Sequence, residues 1–213
     1  MPNRSVDATP YLLDPELLPP TLGEPRRLDW SRAFGNHHRV EVEVGFGKGL
    51  FLITAAQMRP EINFFGIEIS GKMLRYTAER VAKRALSNVR LIKFDARYFF
   101  ARYVADASLA AVHAYFPDPW WKKRHKKRRL FTPEFAREVE RTLSPGGYLH
   151  VWSDVEEYFE TIRGLVAGET KLVWLPPPDE RHPEHDMDYL SNFERKMRKA
   201  GRSIYRLRYQ KAG

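Results

Sequence analysis

The sequence of 213 residues contains no cysteine, which excludes disulfide bonds and thiolate chemistry. It also lacks any run of about 18 apolar residues, so we expect no transmembrane helix. Its first residues include no apolar stretch of the kind found in a secretory leader, and no internal repeat is evident. These absences are compatible with a cytoplasmic location, which we expect.

Positive charge is concentrated in one part of the chain. The net charge is +9, and seven of the eight residues at 122–129 are Lys or Arg. The remainder is close to neutral, which favours a localised site for a polyanion over a general cationic coat. A membrane surface is the weaker interpretation, because the run lacks a long apolar helical face. With 43% hydrophobic residues, the chain can form one sizeable core.

The basic run directly follows a Phe-Pro-Asp-Pro-Trp motif at 116–120, and an apolar segment at 109–115 precedes that motif. The apolar segment has the length of a buried strand, and the two prolines cannot donate ladder hydrogen bonds, so the strand must stop there. Asp118 is then fixed at the carboxyl end of a central strand, where open α/β sheets bind ligands. Alone, the motif can be an ordinary turn and the run a solvated face. Their combination favours a functional site.

A glycine-rich turn opens the predicted domain. Alternating residues at 40–44 predict a strand, residues 50–58 predict a helix, and between them stand Gly45, Gly47 and Gly49. This order is typical of a nucleotide-binding α/β fold. The dinucleotide pattern requires glycine at position 50, where the chain has leucine, and its pyrophosphate would lie beside Glu43. An adenosyl ligand without phosphate fits better.

Acidic residues follow later strands. Glu68 ends the strand predicted at 63–69, about 20 positions after the glycine turn, where an acid can accept hydrogen bonds from a ribose diol. Asp95 and Ala96 follow the strand at 88–94; the carboxylate and the adjacent N–H can bind an adenine edge, and Asp95 can also cap the next helix. Asp154 follows the fifth strand and either contacts substrate or caps a helix.

The remaining patterns complete a doubly wound, mostly parallel α/β sheet of seven strands. Residues 1–39 are punctuated by proline and are predicted to form an N-terminal arm anchored by Trp30 and Phe34. The other predicted helices are at 71–85, at 133–143 with Thr132 as its N-cap and Pro133 at its first position, and at 155–166. A turn is predicted at 144–147, strands at 148–152, 171–175 and 202–209, and a short helix opened by a Ser-x-x-Glu capping box at 191–194. His182 and His185 stand in a proline-rich loop, where we interpret them as solvated side chains and expect no metal site.

These motifs, in this order, resemble those of the bacterial tRNA (guanine-N7-)-methyltransferases. The resemblance extends from about residue 40 to residue 195. It is carried by Glu-Val-Gly-Phe-Gly-Lys-Gly at 43–49, Gly-Ile-Glu at 66–68, Asp-Ala at 95–96, Phe-Pro-Asp-Pro-Trp at 116–120, Lys122, Arg-His-x-Lys-Arg-Arg at 124–129, Leu-Ser-Pro-Gly-Gly at 143–147, Asp154 and Phe-Glu-Arg at 193–195. The combination of Phe-Pro-Asp-Pro-Trp with Arg-His-x-Lys-Arg-Arg is highly specific to this family, whereas the glycine turn is generic to methyltransferases. Trp121 departs from the family, which commonly has a polar residue there.

The resemblance implies a Rossmann-like S-adenosylmethionine-dependent methyltransferase domain at 40–213. It implies methyl transfer to N7 of guanine in tRNA, at position 46 in the variable loop, giving 7-methylguanosine. Matched positions imply cofactor contacts by Glu43, Glu68, Asp95 and Asp118, and substrate contacts by Lys122, Asp154, Ser191, Asn192, Phe193 and Glu194. From the residues themselves we add Gly45, Gly47, Gly49 and Ala96 at the cofactor, and Arg124, Lys126, Lys127, Arg128 and Arg129 on tRNA phosphates.

The expected chemistry needs no general base, because guanine N7 carries a lone pair and no proton. The enzyme mainly has to align the reacting atoms, and such positioning can lower a barrier by roughly 7–11 kcal/mol. Asp118 or Asp154 can accept from guanine N1–H and the 2-amino group, which would select guanine and stabilise the developing positive charge. We therefore assign Asp118 as the catalytic residue and expect neither a catalytic triad nor a metal.

Three alternative functions remain open at this level. A nicotinamide-linked dehydrogenase shares the sheet and the ribose acid, but the glycine spacing and the basic run argue against it. A methyltransferase of small molecules would not need residues 122–129. A catalytically inactive RNA-binding protein of the same fold would be expected to lose an acid such as Glu68 or Asp118, and this chain has both. The sequence does not indicate an oligomeric state.

Overall fold

The computed structural model describes residues 6–18, 27–177 and 192–213. Seven strands form one sheet: β1 Arg39–Val44, β2 Ile62–Glu68, β3 Val89–Lys93, β4 Leu109–Tyr115, β5 Leu143–Ser153, β6 Val173–Leu175 and β7 Tyr205–Gln210. Their order across the sheet is β3-β2-β1-β4-β5-β7-β6. β7 pairs antiparallel with both of its neighbours, β5 and β6, and the other pairs of described strands are parallel. The predicted doubly wound, mostly parallel sheet of seven strands is confirmed.

Helices cover both faces of the sheet. They are α1 Trp30–Phe34, α2 Leu50–Met58, α3 Gly71–Ala82, α4 Ala96–Tyr103, α5 Pro133–Thr142, α6 Glu156–Glu169 and α7 Asn192–Lys199, with 3-10 segments at Thr9–Tyr11, Pro15–Leu17 and Lys123–Arg128. Buried side chains of α1, α4, α5 and α6 form one core cluster, and those of α2 and α3 form a second. The strands lie between these two clusters, as in other parallel sheets.

Helix starts follow the local sequence. Ser70, Asp95 and Thr132 each accept a hydrogen bond from a backbone N–H in the first turn of α3, α4 and α5, respectively. Such caps satisfy donors that have no partner within the helix. The predicted cap of α5 by Thr132 is confirmed. Of the two roles left open for Asp154, the cap of α6 is wrong, because α6 begins after Val155 and has no side-chain cap.

The central strand β4 is buried along its whole length and has the predicted bounds. The prediction of a turn at 144–147, by contrast, is wrong. These residues lie within β5, where Leu143 pairs with Leu109 and Tyr148 pairs with Ala111, so the segment between them is a bulge in the strand. Glycine is favoured at position 147 because the Cβ of any other residue would lie only 2.8 Å from the carbonyl oxygen of Ser144.

The described part of residues 1–39 packs on the same core. Leu13 N–H donates to the carbonyl of Leu91 at 2.9 Å, so the chain covers the outer edge of β3. The Trp30 ring lies 5.0 Å from that of Phe65, and Phe34 is buried. The two predicted anchors are confirmed, while the division of the chain at residue 39 stays a prediction.

Candidate active site at the carboxyl edge of the sheet

A cleft of about 640 Å³ lies at the carboxyl ends of β1, β2, β3 and β4. Residues distant in sequence meet there because parallel strands end at one edge of the sheet. Six residues that the sequence predicts for the site line this cleft: Gly45, Glu68, Asp95, Ala96, Asp118 and Arg128. The sequence therefore predicts six of the residues that line the cleft.

Glu68 is held rigidly in the cleft. One carboxylate oxygen accepts from the backbone N–H of Gly47 at 3.0 Å, and the other accepts from the N–H of Ser70 at 2.9 Å. Gly47 is fixed in turn, since its carbonyl accepts from the Thr77 hydroxyl at 2.9 Å. Each carboxylate oxygen has a further lone pair, so Glu68 can also accept from a ligand hydroxyl.

Gly49 has a packing role behind the cleft. Its φ of +68° lies in the left-handed region, and an added Cβ would stand 2.2 Å from Thr77 Cγ2. Glycine is therefore required where the turn passes against α3. The predicted role of Gly49 at the cofactor stays a prediction.

Glu43 is buried on β1 beneath the turn and does not line the cleft. Burial, and to a lesser extent the nearby charge of Glu68, raise the pKa of Glu43 to about 8, against the lowering effect of a hydrogen bond from the Leu52 backbone. Within the described residues, Glu43 Oε2 has no hydrogen-bond partner. The carboxyl is therefore poised to ionise when positive charge is placed near it.

Asp95 acts as the predicted cap of α4 and also forms an ion pair. Its carboxylate accepts from the Arg97 backbone N–H at 2.9 Å and from Arg97 Nη2 at 3.1 Å. Partial burial opposes ionisation, but the hydrogen bonds and charge of Arg97 lower the pKa of Asp95 overall. The side chain stays 41% exposed, so a ligand in the cleft can reach it.

Asp118 lies in a strained segment at the end of β4. Phe116 and Trp120, on either side of the Pro-Asp-Pro sequence, have φ angles of 54° and 44°, which bulky residues rarely adopt. The segment is held at both ends, because Phe116 N–H donates to the carbonyl of Trp152 at 2.8 Å and Arg129 Nε donates to that of Pro119 at 2.7 Å. Backbone strain of this kind is concentrated at functional sites.

The basic run folds back toward the cleft as the 3-10 segment Lys123–Arg128. Arg128 lies over the Trp120 ring, with its guanidinium carbon 5.2 Å from the ring centroid, and Arg129 lies similarly over Tyr158 at 4.8 Å. Four described side chains of the run are exposed, those of Lys122, Arg124, Lys127 and Arg128. The side chain of Lys126 lies outside the described residues. A positive surface therefore adjoins the cleft.

The predicted substrate motif near α7 is brought to the same place in part. The Phe193 ring lies 4.9 Å from that of Phe116, and Phe193 is 41% exposed. Glu194 is buried and its carboxylate pairs with Arg198 at 2.7 Å. Asp154 is half-buried at the end of β5. Ser191 and the side chain of Asn192 lie outside the described residues.

The sequence analysis missed a buried polar network under the sheet edge. The two carboxylate oxygens of Glu41 accept hydrogen bonds from the Arg59 guanidinium at 2.7 and 3.0 Å. One of these oxygens also accepts from His113 Nε2 at 3.0 Å. His113 Nδ1 lies 2.9 Å from the hydroxyl of Tyr115, a residue that lines the cleft. Burial opposes ionisation, but His113 and Arg59 lower the pKa of Glu41 to about 2. The available signal was a glutamate and a histidine inside strands with otherwise apolar residues.

Comparison with known proteins decides the family. A family model described as putative methyltransferase matches residues 37–207. A tRNA (guanine-N(7)-)-methyltransferase of Rhodopirellula baltica is 42% identical over 99% of this chain and 78% of its own length. One of Alkalilimnicola ehrlichii is 37% identical over 90% of this chain and 80% of its own length. The chain belongs to the tRNA (guanine-N(7)-)-methyltransferase family. The resemblance seen in the motifs is confirmed.

Solved structures place this member of the tRNA (guanine-N(7)-)-methyltransferase family in a wider fold class. The 16S rRNA methyltransferase KamB has a TM-score of 0.61 at 14% identity, covering 89% of this chain and 98% of its own. The [4+2]-cyclase SpnF has a TM-score of 0.57 at 17% identity, covering 83% and 76%. Because a cyclase shares the fold, these similarities describe the Rossmann-like architecture alone and not the reaction.

A membrane span and a metal site are the two features that the sequence analysis expected to be absent. In 6–18, 27–177 and 192–213, helices with the length and apolar character of a membrane span are not found. The same ranges contain no group of three or more His, Asp or Glu placed to hold a metal ion. His182 and His185 lie outside these ranges.

Proposed function

We propose that the protein transfers the methyl group of S-adenosylmethionine to N7 of guanine 46 in the variable loop of tRNA, forming 7-methylguanosine. One observation carries the proposal: a cleft lined by carboxylates shares Arg128 with the basic run at 122–129. The cleft suits a cationic nucleoside and the segment suits a polyanion. Asp118 lies where the two surfaces meet.

The carboxylates fit S-adenosylmethionine better than a phosphate-bearing cofactor. Glu68, Asp95 and Asp118 line the cleft, so a pyrophosphate would be repelled. Glu68 is placed to hold the ribose hydroxyls, and Asp95 with the N–H of Ala96 to hold the adenine edge. When bound, the cofactor supplies an electrophilic methyl group on a positively charged sulfur. That charge favours ionised Glu43, whose Oε2 has no partner among the described residues.

Asp118 performs the selective step on the guanine side. As a carboxylate it accepts from guanine N1–H and the 2-amino group, which adenine does not present in that arrangement. The same contact strengthens as methylation makes the purine cationic. Since N7 has no proton to lose, no residue of the chain has to act as a base. The strained backbone around Asp118 restricts its position, and positioning is the main requirement of this reaction.

The basic segment and its surroundings hold the tRNA. Lys122, Arg124 and Lys127 are exposed beside the cleft and contact phosphates, together with Lys126, Arg128 and Arg129. Trp121, which is 58% exposed, can stack on an unpaired base. Asp154 and residues 191–194 complete the contact to the target nucleotide. Because tRNA is the proposed substrate, we expect the protein to act in the cytoplasm.

The test is direct methylation of a defined RNA. Purified protein is incubated with methyl-labelled S-adenosylmethionine and an unmodified tRNA, and the RNA is digested to nucleosides. We expect the label in 7-methylguanosine, and none when guanine 46 of the same tRNA is replaced by adenine. Label in another nucleoside, or equal labelling of both transcripts, would contradict the assigned position. No label with any tRNA would contradict the assigned activity.

A further inference from the structure

We propose that Arg97 is a positioning residue that couples cofactor binding to tRNA binding. Arg97 was not among the predicted site residues, yet it lines the cleft. The inference rests on the proposed function, because it takes the cleft as the cofactor site and the segment at 122–129 as the tRNA site. It adds that the two sites share one side chain.

The geometry gives Arg97 contacts on both sides. Toward the cleft, its Nη2 and Nε donate to the two carboxylate oxygens of Asp95 at 3.1 and 3.4 Å. Toward the basic segment, its Nη1 donates to the backbone carbonyl of Lys127 at 3.0 Å. The guanidinium therefore spans from the proposed adenine-binding acid to the last turn of the 3-10 segment.

A single planar guanidinium makes these contacts mutually dependent. Its N–H groups have fixed relative directions, so the position of Asp95 and that of the Lys127 carbonyl cannot vary independently while both bonds are present. Lysine has the same charge but only one nitrogen, and it cannot bind both partners in this fork arrangement. The Asp95 cap of α4 uses the backbone N–H of residue 97, so it survives a change of that side chain.

The expected coupling is positive. A tRNA bound to the segment at 122–129 fixes the Lys127 carbonyl, which fixes Arg97 and thereby holds Asp95 in place for the adenine. A bound cofactor that engages Asp95 fixes the segment by the same path in reverse. The two effects must be equal in free energy, because coupling between binding sites is reciprocal.

The experiment measures this coupling with an unreactive cofactor. The dissociation constant of S-adenosylhomocysteine is determined by calorimetry with and without saturating unmodified tRNA, for wild type, Arg97→Ala and Arg97→Lys. In wild type we expect tRNA to tighten binding by at least about five-fold, the lower end of typical coupling. In both variants we expect the ratio of the dissociation constants without and with tRNA to be near one. Arg97→Lys decides the matter if Arg97→Ala does not fold.

Arg124→Ala is the matched control, since it removes an exposed positive charge from the same segment and leaves the Arg97 contacts in place. Arg124→Ala should need a higher tRNA concentration for saturation but keep the wild-type ratio of dissociation constants without and with tRNA. A wild-type ratio near one, or a ratio unchanged in Arg97→Lys, overturns the proposed coupling. If Arg124→Ala binds tRNA as wild type does at every salt concentration, the segment is not the tRNA site, and the proposed function fails with the inference.

Discussion

The carboxylate of Glu68 accepts a hydrogen bond from the backbone N–H of Gly47 at 3.0 Å, and this bond ties the end of β2 to the turn that follows β1. The other oxygen accepts from the N–H of Ser70, the cap residue of α3. One buried acid thus joins two strand ends and a helix start. The residue that we propose to bind the ribose also sets the shape of the cleft.

Replacing Glu68 with alanine should weaken S-adenosylhomocysteine binding by about 1.5–3 kcal/mol, the range for hydrogen bonds to a charged group. Calorimetry measures the change, and Glu61→Ala, which removes an exposed acid just before β2, serves as the control. To separate ribose contact from the shape of the turn, the comparison is repeated with the 2′-deoxy analogue. A direct contact predicts a smaller loss for the analogue, whereas equal losses would leave Glu68 with a purely structural role.

Gly49→Ala should destabilise the protein by about 2–4 kcal/mol, since it combines a left-handed alanine with a clash against Thr77 Cγ2. Urea denaturation gives the free energy of unfolding. Gly201 has a similar φ of +64° but open space around it, so Gly201→Ala should show the backbone penalty alone. Adding Thr77→Ser to Gly49→Ala removes the clashing methyl and should recover the difference. No recovery would mean that the clash is relieved in another way.

The exposed lysines of the basic segment should bind tRNA through phosphates. Lys122→Gln with Lys127→Gln is compared with Lys83→Gln and Lys171→Gln, an equal loss of charge from exposed positions outside the segment. The slope of log affinity against log salt should flatten by roughly 1.4–1.8 for the first pair, because each lost contact contributes about 0.7–0.9. The control pair should leave the slope close to wild type. Equal slopes for both pairs would make the segment an ordinary solvated surface.

Glu43 should make the ligand-free protein less stable as the pH rises. Its pKa is raised from 4.5 to about 8 in the folded state, so between these values the folded state holds a proton that the unfolded chain has lost. Stability from this proton is complete below pH 4.5 and is lost as the pH rises to about 8, by up to about 1.4 kcal/mol per pH unit. Thermal melting across this window should show a steeper decline in wild type than in Glu43→Gln. Parallel curves would contradict the raised pKa.

Local sequence patterns predicted the bounds of those strands and helices that local interactions determine. The apolar run ended by Pro117 gave the bounds of β4, and Thr132 with Pro133 gave the start of α5. The glycines at 146 and 147 suggested a turn, but in the fold they allow a bulge within β5, since Gly147 packs against carbonyl oxygens of Leu109 and Ala110. The closeness of those carbonyls depends on the neighbouring strand, which local sequence cannot show.

The site was predictable where function depends on strand ends and not where it depends on neighbours across the sheet. Glu68 ends a strand, and Asp95 and Asp118 each follow one, so their meeting at one edge follows from the fold class. The contact of Glu41 with His113 requires β1 beside β4 in the right register, and that of Arg97 with Lys127 requires the path of the chain after β4. Both are products of tertiary packing.

The central claim is that Asp118 is an aligning and charge-stabilising carboxylate in a reaction without a general base. Removing one such group typically lowers the rate on the order of 100–1,000-fold. Asp118→Ala should show a loss of this size while tRNA affinity is nearly kept, because phosphates carry most of that affinity. Asp118→Asn retains an acceptor oxygen without the negative charge and should fall between Asp118→Ala and wild type.

The most direct test is single-turnover methylation of one tRNA across a pH series, with wild type, Asp118→Ala and Asp118→Asn. The account predicts a large loss of rate in Asp118→Ala that is the same at every pH, since guanine N7 has no proton to lose. A rate near that of wild type would reject the catalytic role and make the Pro-Asp-Pro segment a structural turn. Recovery of Asp118→Ala at high pH would instead show that a base is required, and would contradict the proposed mechanism.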